Sequence, residues 1–427
     1  MTTGKAAPTA AWFRVRGYPH FDHKISESVA SAYVTVPTKV ATHSFYPFLS
    51  YQMITPRYKK DQGKVEDKSR PIRYAAHLDS HIFAYYANTL LGSYEKYICG
   101  KPLSKSVLAY RKLNKSNIEF ADQAFNDIQS LGDCVTLCFD VTGFFDNLPH
   151  SVIKEKWGEI IGSANLPDDH YAVYKAITKF SWADRGDVYK MLSINPKGAY
   201  RIKGALCTPA VFRTDIRKKG LISRNNELKG IPQGSPISAV LSNIAMISFD
   251  ERVSQFASDV GGLYRRYCDD ILIACPVEHE REAIGVINDE IEKLGLSINN
   301  DKTEKTYFSQ DGEGALTADT PMQYLGFKFD GKKKFLRSKT LSRYWRRLKT
   351  GVRSATKAAK AAKKRGENGQ VFKQELYEKF THLGKNNFVR YAYRASDKMN
   401  EEAIKRQLRN HWEKLQQELE KEAISAK

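Results

Sequence analysis

Gly262-Leu263-Tyr264-Arg265-Arg266-Tyr267-Cys268-Asp269-Asp270-Ile271-Leu272-Ile273-Ala274-Cys275 is the stretch on which the reading of this chain turns. Two strand-forming runs flank a pair of adjacent carboxylates, the pattern of a hairpin with its acids at the turn. Side by side on a tight turn, Asp269 and Asp270 repel each other unless a cation lies between them. A partner run stands upstream: Cys134-Val135-Thr136-Leu137-Cys138-Phe139-Asp140 is apolar, ends in an acid and reads as a buried strand. It continues into Val141-Thr142-Gly143-Phe144-Phe145-Asp146, and between the two acidic runs lies Gly230-Ile231-Pro232-Gln233-Gly234-Ser235-Pro236. A lone Asp at a strand end is ordinarily a turn former. An apolar strand, a Tyr-Cys-Asp-Asp turn, a second apolar strand and a matching upstream acid are together far more specific.

Around these motifs the 427 residues are long enough for two or three packed subdomains. Hydrophobic content of 41% and aromatic content of 11% exclude a disordered chain. A formal net charge of +20 points to a polyanionic partner, nucleic acid before membrane. That charge is unevenly placed: Lys332 to Arg365 holds fifteen Lys and Arg and no Asp or Glu. Such a block repels itself unless an anion compensates it, so Lys332, Lys333, Lys334, Arg337, Arg343, Arg346 and Arg347 are candidate phosphate contacts. Six scattered cysteines form no zinc-site spacing and read as reduced thiols. No run approaches the ~18 apolar residues of a membrane span, and the expected location is cytoplasmic.

Spacings of three and four predict a helix over 75–98, and Ser235–Val253 reads as one helix entered through Pro236. Glu278 to Leu294 is helical with Gly295 as its cap, Pro321–Phe329 reads as one strand, and Asp330-Gly331 as a turn. The chain beyond Lys339 is helical, broken at Arg365–Gly369.

The chemistry that suits this donor set is phosphoryl transfer to a 3′-hydroxyl, which uses two divalent cations about 4 Å apart. Hard cations such as Mg²⁺, or Mn²⁺ in its place, take carboxylate oxygens before imidazole or thiolate. Asp140, Asp269 and Asp270 supply such oxygens if their strands lie side by side.

With these residues on the page, the chain resembles a bacterial reverse transcriptase of the group II intron and retron superfamily, over roughly residues 60–330. Tyr267-Cys268-Asp269-Asp270 fits that family's Tyr/Phe-x-Asp-Asp box, and Phe139-Asp140-Val141 with Phe144–His150 its first acidic motif. Gly230–Asn243 fits the Pro-Gln-Gly block, Gly295–Asn299 with Lys302-Thr303 the next motif, and Tyr324–Phe327 the strand leading to the thumb. The resemblance implies Asp140, Asp269 and Asp270 as catalytic acids and metal ligands, with the Val141 carbonyl as a further ligand. It implies Phe145 as a gate against ribose 2′-hydroxyls, Gln233 against the nucleotide and Lys302 as a proton donor to pyrophosphate. Lys64 and Arg70 resemble the fingers residues that clamp the triphosphate; the family's usual Asp-Arg after that strand is Asp79-Ser80 here.

The implied fold is an α/β (α+β) right hand: an N-terminal arm over 1–34, fingers and palm over 35–330 with a mixed or antiparallel sheet, and a basic helical thumb over 331–427. Tyr344, Trp345, Tyr391, Tyr393 and Trp412 interleave with the thumb's basic residues and could stack on unpaired bases. The Tyr-Cys-Asp-Asp box, the length and the absence of an added enzymatic domain look most like class 2 of the defence-associated reverse transcriptases. Members of that class act against phage and copy a companion noncoding RNA into cDNA from dNTPs, passing repeatedly around the template. Two other readings remain open at this point: an untemplated or protein-primed DNA polymerase of the abortive-infection type, and a non-catalytic RNA-binding scaffold.

Overall fold

The structure is a computed structural model that describes residues 10–59 and 63–424. The arm expected over 1–34 begins outside these residues, as does the end of the thumb region beyond 424. Twelve strands among the described residues form three sheets. In chain order they are β1 (Phe48–Lys59), β2 (Lys64–Tyr74), β3 (Cys134–Asp140), β4 (Ser181–Asp184), β5 (Ser223–Arg224), β6 (Leu263–Tyr267), β7 (Asp270–Cys275), β8 (Glu304–Gln310), β9 (Leu316–Ala318), β10 (Met322–Tyr324), β11 (Phe327–Phe329) and β12 (Lys334–Leu336).

The central sheet runs β6-β7-β3-β8-β9, and every neighbouring pair is antiparallel. Its β3 and β7 are apolar on both sides because the sheet separates two cores. Val135, Leu137, Phe139, Ile271, Ile273 and Cys275 face one core, while Cys134, Leu272 and Ala274 face the other. The period-two alternation of a strand makes that division. Helices His77–Ile98, Ser238–Ala245, Ile247–Asp259 and Glu280–Lys293 contribute to the first core. Helix Asn117–Leu131 and the C-terminal helices contribute to the second. Asn117–Leu131 starts in a reciprocal capping box between Ser116 and Glu119.

A second sheet, β2-β1-β4-β5, carries the long hairpin β1/β2, paired from Leu49↔Tyr74 out to Lys59↔Lys64. Strand β4 joins it in parallel only at Phe48, Leu49 and Ser50. A separate apolar cluster including Phe21, Leu49, Val188, Tyr189, Phe212 and Ile216 packs at this sheet. The third sheet, β10-β11-β12, leads into helix Ser338–Lys364 and four further helices, Lys373–Phe380, Phe388–Met399, Glu402–Arg406 and His411–Ile424.

The helix expected over 75–98 forms as His77–Ile98, and the hairpin at Asp269-Asp270 and the helical break at 365–369 form as expected. Two readings are corrected. The segment 235–253 is two helices meeting at Met246, whose N–H bonds to the Asn243 carbonyl in a tighter turn than an α-helix makes. Pro321–Phe329 is a hairpin, not one strand: Leu325 and Gly326 both have positive φ, 45° and 94°, and form a two-residue turn.

The break at Met246 is followed by Asp250, which faces a fully buried arginine. Arg266 Nε and Nη2 bond to the two carboxylate oxygens of Asp250 at 2.7 and 2.6 Å, and the Tyr264 hydroxyl donates to the same carboxylate at 2.6 Å. Both charged side chains are 0% exposed. The Asp250 charge holds Arg266 protonated against the cost of its burial, and the same charge with burial pushes the Tyr264 hydroxyl far up. Removing one partner strands the other charge in the core, so Asp250→Ala is expected to cost about 3–5 kcal/mol. A shift of the urea unfolding midpoint, followed by tryptophan fluorescence, measures it; a change below about 1 kcal/mol would contradict this account.

Candidate active site

The three candidate acids come together at one end of the central sheet. β3 and β7 pair so that Asp140 lies directly across from Asp270, and the Val141 N–H bonds to the Asp269 carbonyl at 3.3 Å. Asp269 and Cys268 form the turn between β6 and β7, closed by the pair Tyr267↔Asp270. Cys268 has φ 62°, unfavourable for a residue with a Cβ, and the fold holds it from both sides. Arg266 Nη1 donates to the Cys268 carbonyl at 3.0 Å, and the Tyr110 hydroxyl donates to Cys268 Sγ at 3.2 Å. Burial and the neighbouring Asp269 push the Cys268 thiol up to about 12, so it stays protonated.

Residues 297–299 lie along the other side of Asp140. The Thr142 N–H bonds to the Ser297 carbonyl at 2.8 Å and the Asn299 N–H to the Asp140 carbonyl at 2.8 Å. These two bonds do not use the Val141 carbonyl. Lys302, expected beside the nucleotide, is ion-paired with the Asp140 carboxylate. Loss of water and the Asp269 charge raise the Asp270 carboxyl to about 6, although its surface is open to solvent; Arg337 opposes the shift. A carboxyl raised by a like charge is one that a cation would stabilise in its ionised form. Among the described residues no three His, Cys, Asp or Glu side chains stand as a ready-made metal cage. The available oxygens, from Asp140, Asp269, Asp270 and backbone, are the hard donors that Mg²⁺ takes.

Phe145 is half-buried, edge-on to Phe144 at 5.5 Å, and its carbonyl accepts the Ile231 N–H at 2.9 Å. That bond places the Pro-Gln-Gly loop against the first acidic motif. Gly230, φ 88°, brings the loop so close that a Cβ would lie 2.8 Å from the Asp146 carbonyl oxygen. The loop also reaches the second sheet, where the Gln233 carbonyl accepts the Arg73 N–H at 2.9 Å. Lys64 is exposed at the outer end of β2, paired with Lys59, and Arg70 is half-buried opposite Met53. Asp79, the acid of the Asp79-Ser80 pair, is buried, ion-paired with His43 at 2.7 Å, and accepts the Tyr46 N–H.

Sequence reasoning missed Arg73. Its guanidinium stands over the rings of Phe180 and Trp182, at 5.0 and 4.7 Å, and its Nε is buried with no hydrogen-bond partner. Burial lowers its pKa while the charge of Asp146 opposes that change, and burial raises the Asp146 carboxyl.

Of the basic candidates, Arg343, Arg346 and Arg347 are exposed. They line a groove of about 1240 Å³ between helix Ser338–Lys364 and the segment 383–388, which adds Lys385. Arg337 precedes that helix and stands near Asp270. Lys333 is exposed, and Lys332, also exposed, is ion-paired with Asp311 at 3.3 Å. Lys334 is corrected: the alternation of β12 turns it inward, where Asp122 at 2.6 Å and Asn126 at 2.7 Å take its ammonium. The interleaved aromatics are likewise largely spent on packing. Tyr344 is buried and donates to the Phe380 carbonyl, Trp412 lies 4.9 Å from Tyr377, Lys414 covers Trp345, and Tyr391 and Tyr393 pack against the second core.

Residues 59–329 match the family described as reverse transcriptase (RNA-dependent DNA polymerase). Among solved structures the chain is similar to telomerase from Candida albicans in complex with a TWJ fragment of telomeric RNA, at 12% identity and TM-score 0.42, covering 93% of this chain and 67% of that one. It is also similar to apo telomerase from Candida tropicalis truncated from its C-terminal domain, at 14% identity and TM-score 0.40, covering 72% of this chain and 59% of that one. The chain thus spans between 59% and 67% of the length of these two telomerase chains. Among the described residues no helix is long and apolar enough to cross a membrane.

Gly234 offers a direct test of the contact between the loop and β2. Its φ is 116°, and a Cβ there would lie 2.7 Å from the Arg73 carbonyl oxygen. Gly234→Ala is expected to push the loop off β2 and speed hydrogen exchange of the Arg73 amide about tenfold, the effect of ~1.4 kcal/mol. An unchanged exchange rate would show that the loop accommodates the methyl group.

Proposed function

The chain belongs to the reverse transcriptase (RNA-dependent DNA polymerase) family, and we propose that it extends a primer 3′ end with dNTPs, copying RNA into DNA. The observation that carries this reading is the register of β3 on β7, which sets Asp140 against Asp270 with Asp269 beside them. Asp140, Asp269, Asp270 and the Val141 carbonyl would hold two Mg²⁺ ions, or Mn²⁺ in substitution, which when bound activate the attacking hydroxyl and neutralise the triphosphate. Lys64 and Arg70 contact the triphosphate, and Arg73, held over Phe180 and Trp182 at the root of the hairpin, offers a planar fork nearer the palm loop. Gln233 lies against the nucleotide, and Lys302 Nζ carries the proton that the leaving pyrophosphate takes up. Phe145 excludes a ribose 2′-hydroxyl. Arg343, Arg346, Arg347, Arg337, Lys332 and Lys333 grip the backbone of the RNA–DNA duplex, with affinity that falls steeply as salt rises.

The template in this reading is a companion noncoding RNA, copied repeatedly, and the cDNA serves defence against phage. The support is the resemblance of the Tyr267–Asp270 box and the chain's organisation to the class 2 defence-associated enzymes. Sequencing the nucleic acid that copurifies with the protein tests it. One abundant structured RNA with complementary DNA supports templated synthesis, while DNA without an RNA counterpart would favour untemplated synthesis.

Asp269→Ala combined with Asp270→Ala is expected to reduce primer extension to background and abolish phage protection, with RNA binding largely retained in a gel-shift assay. Extension or protection surviving in that variant would overturn the catalytic account. Phe145→Ala is expected to raise rNTP use relative to dNTP by about tenfold or more, the equivalent of ~1.4 kcal/mol of discrimination, in single-nucleotide incorporation assays.

A further inference from the structure

A second basic region lies far in sequence from the thumb. Residues 185–224 contain ten Lys and Arg against only Asp187 and Asp215. They fold as short elements packed with the cluster at the second sheet. Where this segment meets β1, β2 and the N-terminal stretch there is a pocket of about 430 Å³. Tyr18, Tyr51, Tyr74, Tyr189, Tyr200 and Arg185 line it, and no lining residue is acidic. The rings are set against one another: Tyr18 and Tyr74 stand 4.6 Å apart, and Arg185 covers Tyr51 at 4.4 Å. Arg185 and Tyr189 also stand next to the Tyr74 hydroxyl. Tyr200 stays 67% exposed at the rim, with Arg201 bonded to its hydroxyl at 3.0 Å.

An apolar core does not need five phenols and a guanidinium around an open cavity. A nucleotide fits such a lining: the two faces of its base stack on phenol rings, and its phosphate meets the surrounding positive charge. The volume lies within the range of small-ligand pockets. A base held in a duplex is paired and stacked on its neighbours and cannot turn into a pocket of this size, so the occupant is unpaired. Position narrows the source, because Ile72, which also lines the pocket, stands against Gly234 of the palm loop. We propose that this pocket takes an unpaired base of the single-stranded RNA template ahead of the palm, so that residues 185–224 guide the strand entering the active site. The proposal rests on the polymerase reading above.

The test uses the full chain and two synthetic substrates, a DNA primer annealed to RNA with a one-nucleotide or an eight-nucleotide 5′ template overhang. Fluorescence anisotropy at fixed salt gives both dissociation constants. The wild type is expected to bind the long overhang about tenfold more tightly, and Tyr200→Ala and Arg185→Gln to bring the ratio of the two constants close to one. Tyr200→Trp should restore the ratio, because a larger ring still stacks. An abasic site at a single position of the overhang should have the same effect as the alanine variant. Variants that keep the wild-type ratio, or a wild type that extends primers yet gains nothing from the overhang, overturn the pocket assignment alone. A wild type that binds neither substrate overturns it together with the polymerase reading.

Discussion

The buried pair of Asp250 and Arg266 is the interaction on which the active-site end of the sheet depends. Taking two charges out of water is expensive, and this pair meets the cost with bidentate geometry and the Tyr264 hydroxyl. What the protein obtains is position. The remaining guanidinium nitrogen reaches the Cys268 carbonyl, the Arg266 carbonyl accepts the Leu108 N–H, and Asn243 bridges from Arg266 to the Ala109 carbonyl. Three other chain segments, carrying Asp250, Asn243 and Leu108-Ala109, are thereby tied to the turn that presents Asp269. A non-glycine residue at positive φ in that turn is tolerated because its surroundings leave it no alternative.

The rest of the site follows from how the central sheet is shared. One face of β3 and β7 belongs to the palm core and the other to the core that continues into the thumb helices. The acids at the strand ends are therefore fixed relative to both. The positive charge is divided too, between the thumb groove and the segment 185–224, with Asp269 and Asp270 between them in sequence and Asp140 ahead of both. A polyanion drawn by the summed field meets the carboxylates of Asp140, Asp269 and Asp270 only where cations can mediate the contact.

Much of this was legible because it was written in strong local patterns. Apolar strands ending in charge gave the acids, β3 and the hairpin at Cys268-Asp269, and three- and four-residue spacing gave helix His77–Ile98. What was missed lacked a local signal. The turn at Leu325-Gly326 places a leucine where Asn or Gly is usual, and the Asn117 side chain bonding to the Leu325 carbonyl is 208 residues away. The break at Met246 lies within Ile244-Ala245-Met246-Ile247, where no Gly or Pro marks a stop. Lys334 reads as one of three equal lysines, and only strand alternation turns it toward Asp122. Arg73 becomes distinctive through Phe180 and Trp182, more than a hundred residues later. Residues 185–224 have too many short elements to show any period.

The long hairpin has a mechanical consequence. β1 and β2 pair over eleven positions, but β4 supports only Phe48 to Ser50, next to the bond between Arg73 and Gln233. Beyond that anchorage the hairpin is a cantilever of about 30 Å, from ~3.3 Å per residue. Rotation of about 6° at its root carries the tip through about 3 Å, the width of a hydrogen bond. Lys64 rides near that tip and the Gln233 carbonyl is bonded at the fulcrum, so a small displacement at the palm loop becomes a larger one at the far end.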